Sequence, residues 1–315
     1  MHSRPFKQVD VFTDRPYLGN PLAVVLDGTG LSDAEMQRFA RWTNLSETTF
    51  VLPPTPDAAA QGADYQVRIF TPAYEMPFAG HPTLGSCHAW LEHDGSPRNR
   101  DEIVQQCKVG LVRIRRTGKR LAFAAPPLQR HDPTREVASK VAAALGLSKT
   151  HVLAMQHLTN GPKHFGVLVD TIEHVLELQP NFAALQTLMP DMRVTGIGVV
   201  ALASESDAPA LITRSNREAR AFGASAATDT AIPAEAEVRF FFTGNRLVSE
   251  DMVTGSFNAS VAQWLMTDSL APRDYVAAQG TCIGCEGRVH LSMDDAGQVW
   301  VGGDAVTCIS GMVNL

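Results

Sequence analysis

The chain has 315 residues, of which 44% are hydrophobic, 19% charged and 7% aromatic. That exceeds what one core usually fills, so two domains are expected, and the composition excludes collagen-like, disordered and coiled-coil classes. Twenty-seven Lys and Arg against 33 Asp and Glu leave a net charge of −6. The one basic run, Arg113, Arg115, Arg116, Lys119 and Arg120, alternates like a solvated strand face and not like a nucleic-acid groove.

Met1 to Pro5 carries no apolar run of an export signal, and no stretch reaches the roughly 18 apolar residues of a membrane span. The expectation is a cytoplasmic chain with no nucleic-acid or membrane partner. Its five cysteines then read as reduced thiols. Cys282 and Cys285 form a C-x-x-C pair, but no second ligand pair completes a structural zinc site, so no metal and no cofactor are expected.

In chain order, Val9 to Phe12 and Ala23 to Leu26 read as strands around the turn residues Gly19-Asn20-Pro21. Ser32 to Glu35 is a capping box opening a helix through about Trp42. Tyr65 to Thr71, Val112 to Ile114 and Leu121 to Ala124 read as strands. The proline-containing segment from Ala125 to Thr134 reads as a linker. Beyond it, a helix over Glu136 to Leu145 ends at Gly146. Strands follow at Phe165 to Val169, Gly196 to Ala203 and Glu237 to Phe242, and helices near Phe182 to Leu188 and Ser256 to Met266. Val299 to Val301 and Val306 to Val313 alternate as final strands.

Two stretches repeat. Val67-Arg68-Ile69-Phe70 resembles Val238-Arg239-Phe240-Phe241. The segments Ala79 to Leu91 and Val253 to Leu265 align without a gap, sharing Ser86/Ser260, Trp90/Trp264 and Leu91/Leu265. Each copy runs strand, loop, then helix, which predicts two pseudo-equivalent domains. Chance similarity between two strand–loop–helix units is the alternative.

Helix starts expose N–H groups and a dipole, and so suit anions. Gly80 and Gly255 would let a ligand approach the backbone, with Thr83 and Ser256 adding hydroxyls; the same glycines also suit tight turns. Glu47, His81 and Asp251 are titratable residues placed in loops or at helix starts. A partly desolvated carboxylate is raised toward neutral pH and could take and return a proton, although a surface position is the ordinary reading of a lone glutamate. None of His131, His151, His157, His164, His174 and His290 shows metal-ligand spacing. Phosphate-loop, nucleophile-elbow and complete dinucleotide motifs are absent, Gly196-Ile197-Gly198 lying within a strand pattern.

Gly19 to Val25, Asn44 to Phe50, Phe78 to Gly85, and Glu250-Asp251 before Thr254-Gly255-Ser256 together resemble the PhzF family of phenazine-biosynthesis-like isomerases over nearly the whole chain. The resemblance implies an α+β, diaminopimelate-epimerase-like fold. Its two pseudo-equivalent domains are residues 1–125, with 299–315 returning, and 126–298. Each is a curled, mostly antiparallel sheet around a central helix, with the active site between them. It also implies a homodimer and a small-molecule carboxylate substrate.

Epimerases and proline racemases of this fold use two cysteines, where this chain has Ala79 and Val253. The family pattern instead assigns acid/base catalysis to Glu47, with His81 and Asp251 assisting, and Gly80, Gly255 and Ser256 around the substrate carboxylate. The implied activity is cofactor-independent proton transfer between carbons of a small cyclic carboxylate. A non-catalytic carboxylate-binding or regulatory protein is the alternative. Met252, Phe257 and Cys285 depart from the family pattern, and Phe257 is expected to reshape the anion site.

Overall fold

The structure, a computed structural model, describes residues 2–203, 233–244 and 247–315. The chain divides into two compact units, one formed by Met1–Ala124 with Trp300–Leu315, the other by Ala125–Val299. It is an α+β protein.

In the first unit β1 (Ser3–Val11) pairs antiparallel with β2 (Asn20–Val25), and β2 pairs parallel with β3 (Glu47–Leu52). β3 pairs antiparallel with β4 (Tyr65–Phe70), which continues into the short β5 (Glu75–Met76). A parallel pairing leads from β4 to β6 (Glu102–Cys107), then antiparallel to β7 (Gly110–Thr117) and β8 (Arg120–Ala124). Two strands from the far end of the sequence complete the sheet. β17 (Val299–Gly303) pairs with β8, and β18 (Ala305–Asn314) pairs with β1 from Ser3↔Asn314 to Val11↔Ala305.

Helix α3 (Gly80–His93) is the central element of this unit and is buried on nearly every side of its first two turns. Helix α1 (Asp33–Thr43) covers the other face of the sheet. There Met36, Phe39 and Ala40 pack on Val25, Phe50 and Phe70, and the predicted capping box of Ser32 and Glu35 is formed. With both faces covered, β2 loses the alternation of a half-exposed strand and is almost wholly buried.

The second unit repeats this plan. β10 (Val152–Thr159) pairs antiparallel with β11 (Lys163–Val169), β11 parallel with β12 (Gly196–Leu202), and β12 antiparallel with β13 (Ala236–Gly244). β13 continues into β14 (Leu247–Glu250) and pairs parallel with β15 (Asp274–Gln279), which pairs with β16 (Gly287–Met293). Helix α7 (Gly255–Thr267) is the buried central element. Helices α4 (Arg135–Leu145), α5 (Ile172–Leu176) and α6 (Phe182–Met192) form the outer layer over an apolar cluster that includes Leu145, Phe165, Val175, Leu185, Ile197 and Phe241. The segment expected as a linker holds a strand: β9 (Gln129–His131) pairs with β10, opposing His131 to His157.

The repeat extends to an ion pair. Phe70 opposes Glu75 across β4 and β5, Phe241 opposes Glu250 across β13 and β14, and in each unit the arginine two residues earlier grips that glutamate through two nitrogens. Among the described residues no helix is long and apolar enough to cross a membrane.

Candidate active site

In the first unit the site follows from strand periodicity. Side chains at Glu47, Thr49 and Val51 share one face of β3, and Thr48, Phe50 and Leu52 the other. Phe50 belongs to the outer cluster under α1, whereas Thr49 accepts a 2.8 Å hydrogen bond from Ser86 of α3. Glu47 must therefore face α3, two residues up the strand, where the first turn of that helix supplies His81. Glu47 Oε2 lies 3.4 Å from His81 Nε2, with side chains only 15% and 8% exposed. Glu47, expected in a loop, thus opens a strand that is held in register by the parallel pair Leu22↔Glu47.

Burial pushes the His81 imidazolium down to about 3, against a hydrogen bond to the Pro21 backbone, so the ring is neutral at physiological pH. Among the described residues Nε2 has no hydrogen-bond partner, so the bond to Pro21 falls to Nδ1–H, and the Nε2 lone pair faces Glu47. A proton arriving on Glu47 would find an acceptor within reach.

Thr83 is placed differently. It is wholly buried, and its hydroxyl accepts from Gln105, which in turn accepts from Tyr65. The absence of a side chain at Gly80 has a packing reason, since a Cβ there would meet the Phe123 ring at 2.5 Å.

The second unit carries the other group. Burial lifts the Asp251 carboxyl to about 6, although the Thr254 hydroxyl donates to it at 2.5 Å. The buried Gln279 orients that hydroxyl, donating to Thr254 Oγ1 at 3.0 Å while its own oxygen accepts from Thr254 N and Asn258 Nδ2. Asp251 is therefore poised to exchange a proton near neutral pH.

Ser256, in the first turn of α7, is held by two residues that the sequence reading left without a role. Asn160 donates to its carbonyl at 3.0 Å, and His164 Nε2 lies 3.1 Å from its hydroxyl. His164 is buried and neutral, pushed down to about 3. Thr195 donates its hydroxyl proton to Lys163 O and so accepts from His164 Nδ1–H at 3.3 Å. The Ser256 proton then points to His164 Nε2, and the donors this turn offers a ligand are backbone N–H groups, not the hydroxyl.

Phe257, expected to reshape the anion site, instead turns into the core. It is 0% exposed and packs on Phe240, His164 and Gly198.

Both central helices also start without a side-chain cap. Ser32, Thr55, Thr134, Thr171 and Asn181 cap α1, the short α2 (Pro56–Ala60), α4, α5 and α6, but neither Ala79 nor Thr254 caps α3 or α7. Their first-turn N–H groups remain directed at whatever binds. Glu47, His81 and Gly80 thus gather at one helix start, and Asp251, Gly255 and Ser256 at the other. The five cysteines are thiols and not disulfides, with Cys282 exposed and Cys285 buried.

Two mixed sheets, each with a buried helix whose start has no side-chain cap, make up an α+β protein with an epimerase-like fold. The family model described as "Phenazine biosynthesis-like protein" matches residues 9–311, and the chain belongs to that family. It is 32% identical to Antisense-enhancing sequence 1 of Schizosaccharomyces pombe, over 99% of both chains. It is 38% identical to the trans-2,3-dihydro-3-hydroxyanthranilate isomerase of Pseudomonas aeruginosa, over 59% of this chain and 64% of that one.

Among solved structures, a PhzF-family protein of Bacillus anthracis superposes with a TM-score of 0.78 over 100% of both chains at 23% identity. A hydroxyproline epimerase of Agrobacterium vitis shares the fold, with a TM-score of 0.60 at 12% identity over 99% of this chain and 91% of that one.

Proposed function

We propose that this isomerase moves a proton between two carbons of a small cyclic carboxylate without a cofactor, with Glu47 as the acid/base. The observation that carries the reading is the Glu47 carboxylate set 3.4 Å from the lone-pair nitrogen of a neutral, buried His81 at an uncapped helix start. Glu47 takes the proton from one carbon as a carboxylate and returns it to another as a carboxylic acid, and His81 Nε2 accepts a hydrogen bond from the protonated form in between. Asp251 is the exchangeable group of the second unit, beside the helix start at Gly255 and Ser256. Beside Glu47, the backbone N–H groups of the helix start at Gly80 suit the substrate carboxylate. Fixed N–H donors there stabilise charge that spreads from the reacting carbon into that group. Thr83 serves this half-site indirectly, by fixing the second turn of α3 through Gln105.

The test is deuterium exchange from solvent into a panel of small cyclic and amino-acid-like carboxylates. The wild-type chain is expected to label a carbon position in at least one of them, and Glu47→Gln to bind that compound with similar affinity while labelling it at least about a hundredfold more slowly. Full exchange by Glu47→Gln would overturn the role of Glu47. Binding without exchange by the wild-type chain would favour a carboxylate-binding protein.

A further inference from the structure

Three residues of the second unit that take no part in the proposed proton transfer converge at its surface. The register pair Val152↔Val169 sets His151, just before β10, beside Asp170, just after β11, and the Asp170 N–H donates to the His151 carbonyl at 3.1 Å. His174 stands four residues after Asp170 in the first turn of α5, where Thr171 fixes the turn by accepting from the His174 N–H. As a result two imidazoles aim Nδ1 at one carboxylate: His151 Nδ1 lies 3.0 Å from Oδ2 and His174 Nδ1 2.7 Å from Oδ1. The rings lie face to face, their centroids 3.7 Å apart with a 36° tilt. Thr171 Oγ1 also lies 3.0 Å from His174 Nδ1.

We infer that His151, Asp170 and His174 bind a divalent transition-metal ion of the zinc class, water filling the remaining coordination positions. The three ligand atoms already lie within 4.8 Å of one another. Zinc with bonds of about 2.0–2.1 Å needs tetrahedral ligand atoms about 3.3 Å apart, which small ring rotations supply. Two imidazoles and one carboxylate suit borderline ions such as zinc, cobalt or nickel, whereas magnesium and calcium favour all-oxygen sets. Coordination through Nδ1 requires each imidazole to carry its proton on Nε2, leaving the Nδ1 lone pair for the ion. The ion would tie the β10–β11 end to α5, so its effect falls on the stability of this unit.

The experiment is titration of the untagged full chain with Zn²⁺ and with Co²⁺, in a Cys282→Ser, Cys285→Ser background that removes the neighbouring thiols. One equivalent is expected to bind, with cobalt d–d bands but no thiolate charge-transfer band, and with a rise in melting temperature that grows with zinc concentration. His151→Ala, His174→Ala and Asp170→Asn should each weaken binding at least about tenfold, while their metal-free melting temperatures stay near that of the background. Absence of binding in that background overturns the site. So does binding unchanged in the His151→Ala, His174→Ala double variant.

Discussion

The two units share a scaffold residue by residue and differ where the chemistry is carried. Aligning Arg68 with Arg239 through the strand registers puts Phe70 on Phe241 and Glu75 on Glu250, and it puts Thr49 on Gly198 and Glu47 on Gly196. The position that holds a carboxylate in the first unit is thus bare in the second. A Cβ at Gly196 would meet the Phe240 ring at 2.2 Å, and the space next to it at Gly198 is filled by Phe257. The two helix starts are therefore flanked unequally, by a glutamate on the strand beside α3 and by a glycine at the equivalent strand position of the second unit.

The shared ion pair shows the same divergence in its surroundings. Arg239 and Glu250 are 8% and 6% exposed, and Arg239 also donates to the Val175 and Leu178 carbonyls. Arg68 and Glu75 are 21% and 19% exposed, with exposed Asp33 as a further partner.

Experiments that break this comparison rank by expected size. Glu47→Gln heads the list, with the exchange loss given above and little change in melting temperature. Next, Arg239→Ala should destabilise the chain by about 3–5 kcal/mol because it strands a buried carboxylate, whereas Arg68→Ala should cost about 0–1 kcal/mol; chemical denaturation of both variants measures the gap. Equal losses would show that burial does not separate the two copies.

Asp251→Asn tests the second unit through pH. The folded carboxyl titrates at about 6 against 3.8 for the ordinary group, so its protonated form is favoured in the fold. The stabilising contribution is fully present below 3.8 and is lost as pH rises through about 6. The asparagine variant should therefore gain up to about 3 kcal/mol relative to wild type between pH 4 and pH 8, while exchange activity falls. A stability difference that does not change over that range would refute the raised carboxyl. Gly198→Ala should cost about 1–3 kcal/mol by displacing Phe257, with the proton-transfer residues unchanged, as chemical denaturation would show.

Much of this was legible in the sequence because it is local. The capping box at Ser32 and Glu35, the helix starts at Gly80 and Gly255, and the paired Arg-containing strands each declare themselves within a few residues. What escaped is set by pairing across the sheet. Glu47 reads as a loop residue beside Asn44, and only its parallel partner Leu22 makes it the first residue of a strand facing His81. Thr83 has the polarity of a ligand contact, but its hydroxyl is spent on Gln105 from β6. Phe257 next to Ser256 suggests a pocket wall until Gly198, far away in sequence, provides the room that draws it inward. His151 and His174 have no recognisable ligand spacing because Asp170 and the β10–β11 register, not the sequence interval, bring them together.

The pairing of β18 with β1 also bears on how the chain is made. The second unit is one continuous stretch, Ala125–Val299, whose strands are all in hand before the last residues are added, whereas the first unit lacks two of its strands until Trp300–Leu315 has been synthesised. The first unit therefore cannot close until its two late strands are available, and until then the hydrogen-bonding edges of β1 and β8 stay open to whatever else is nearby.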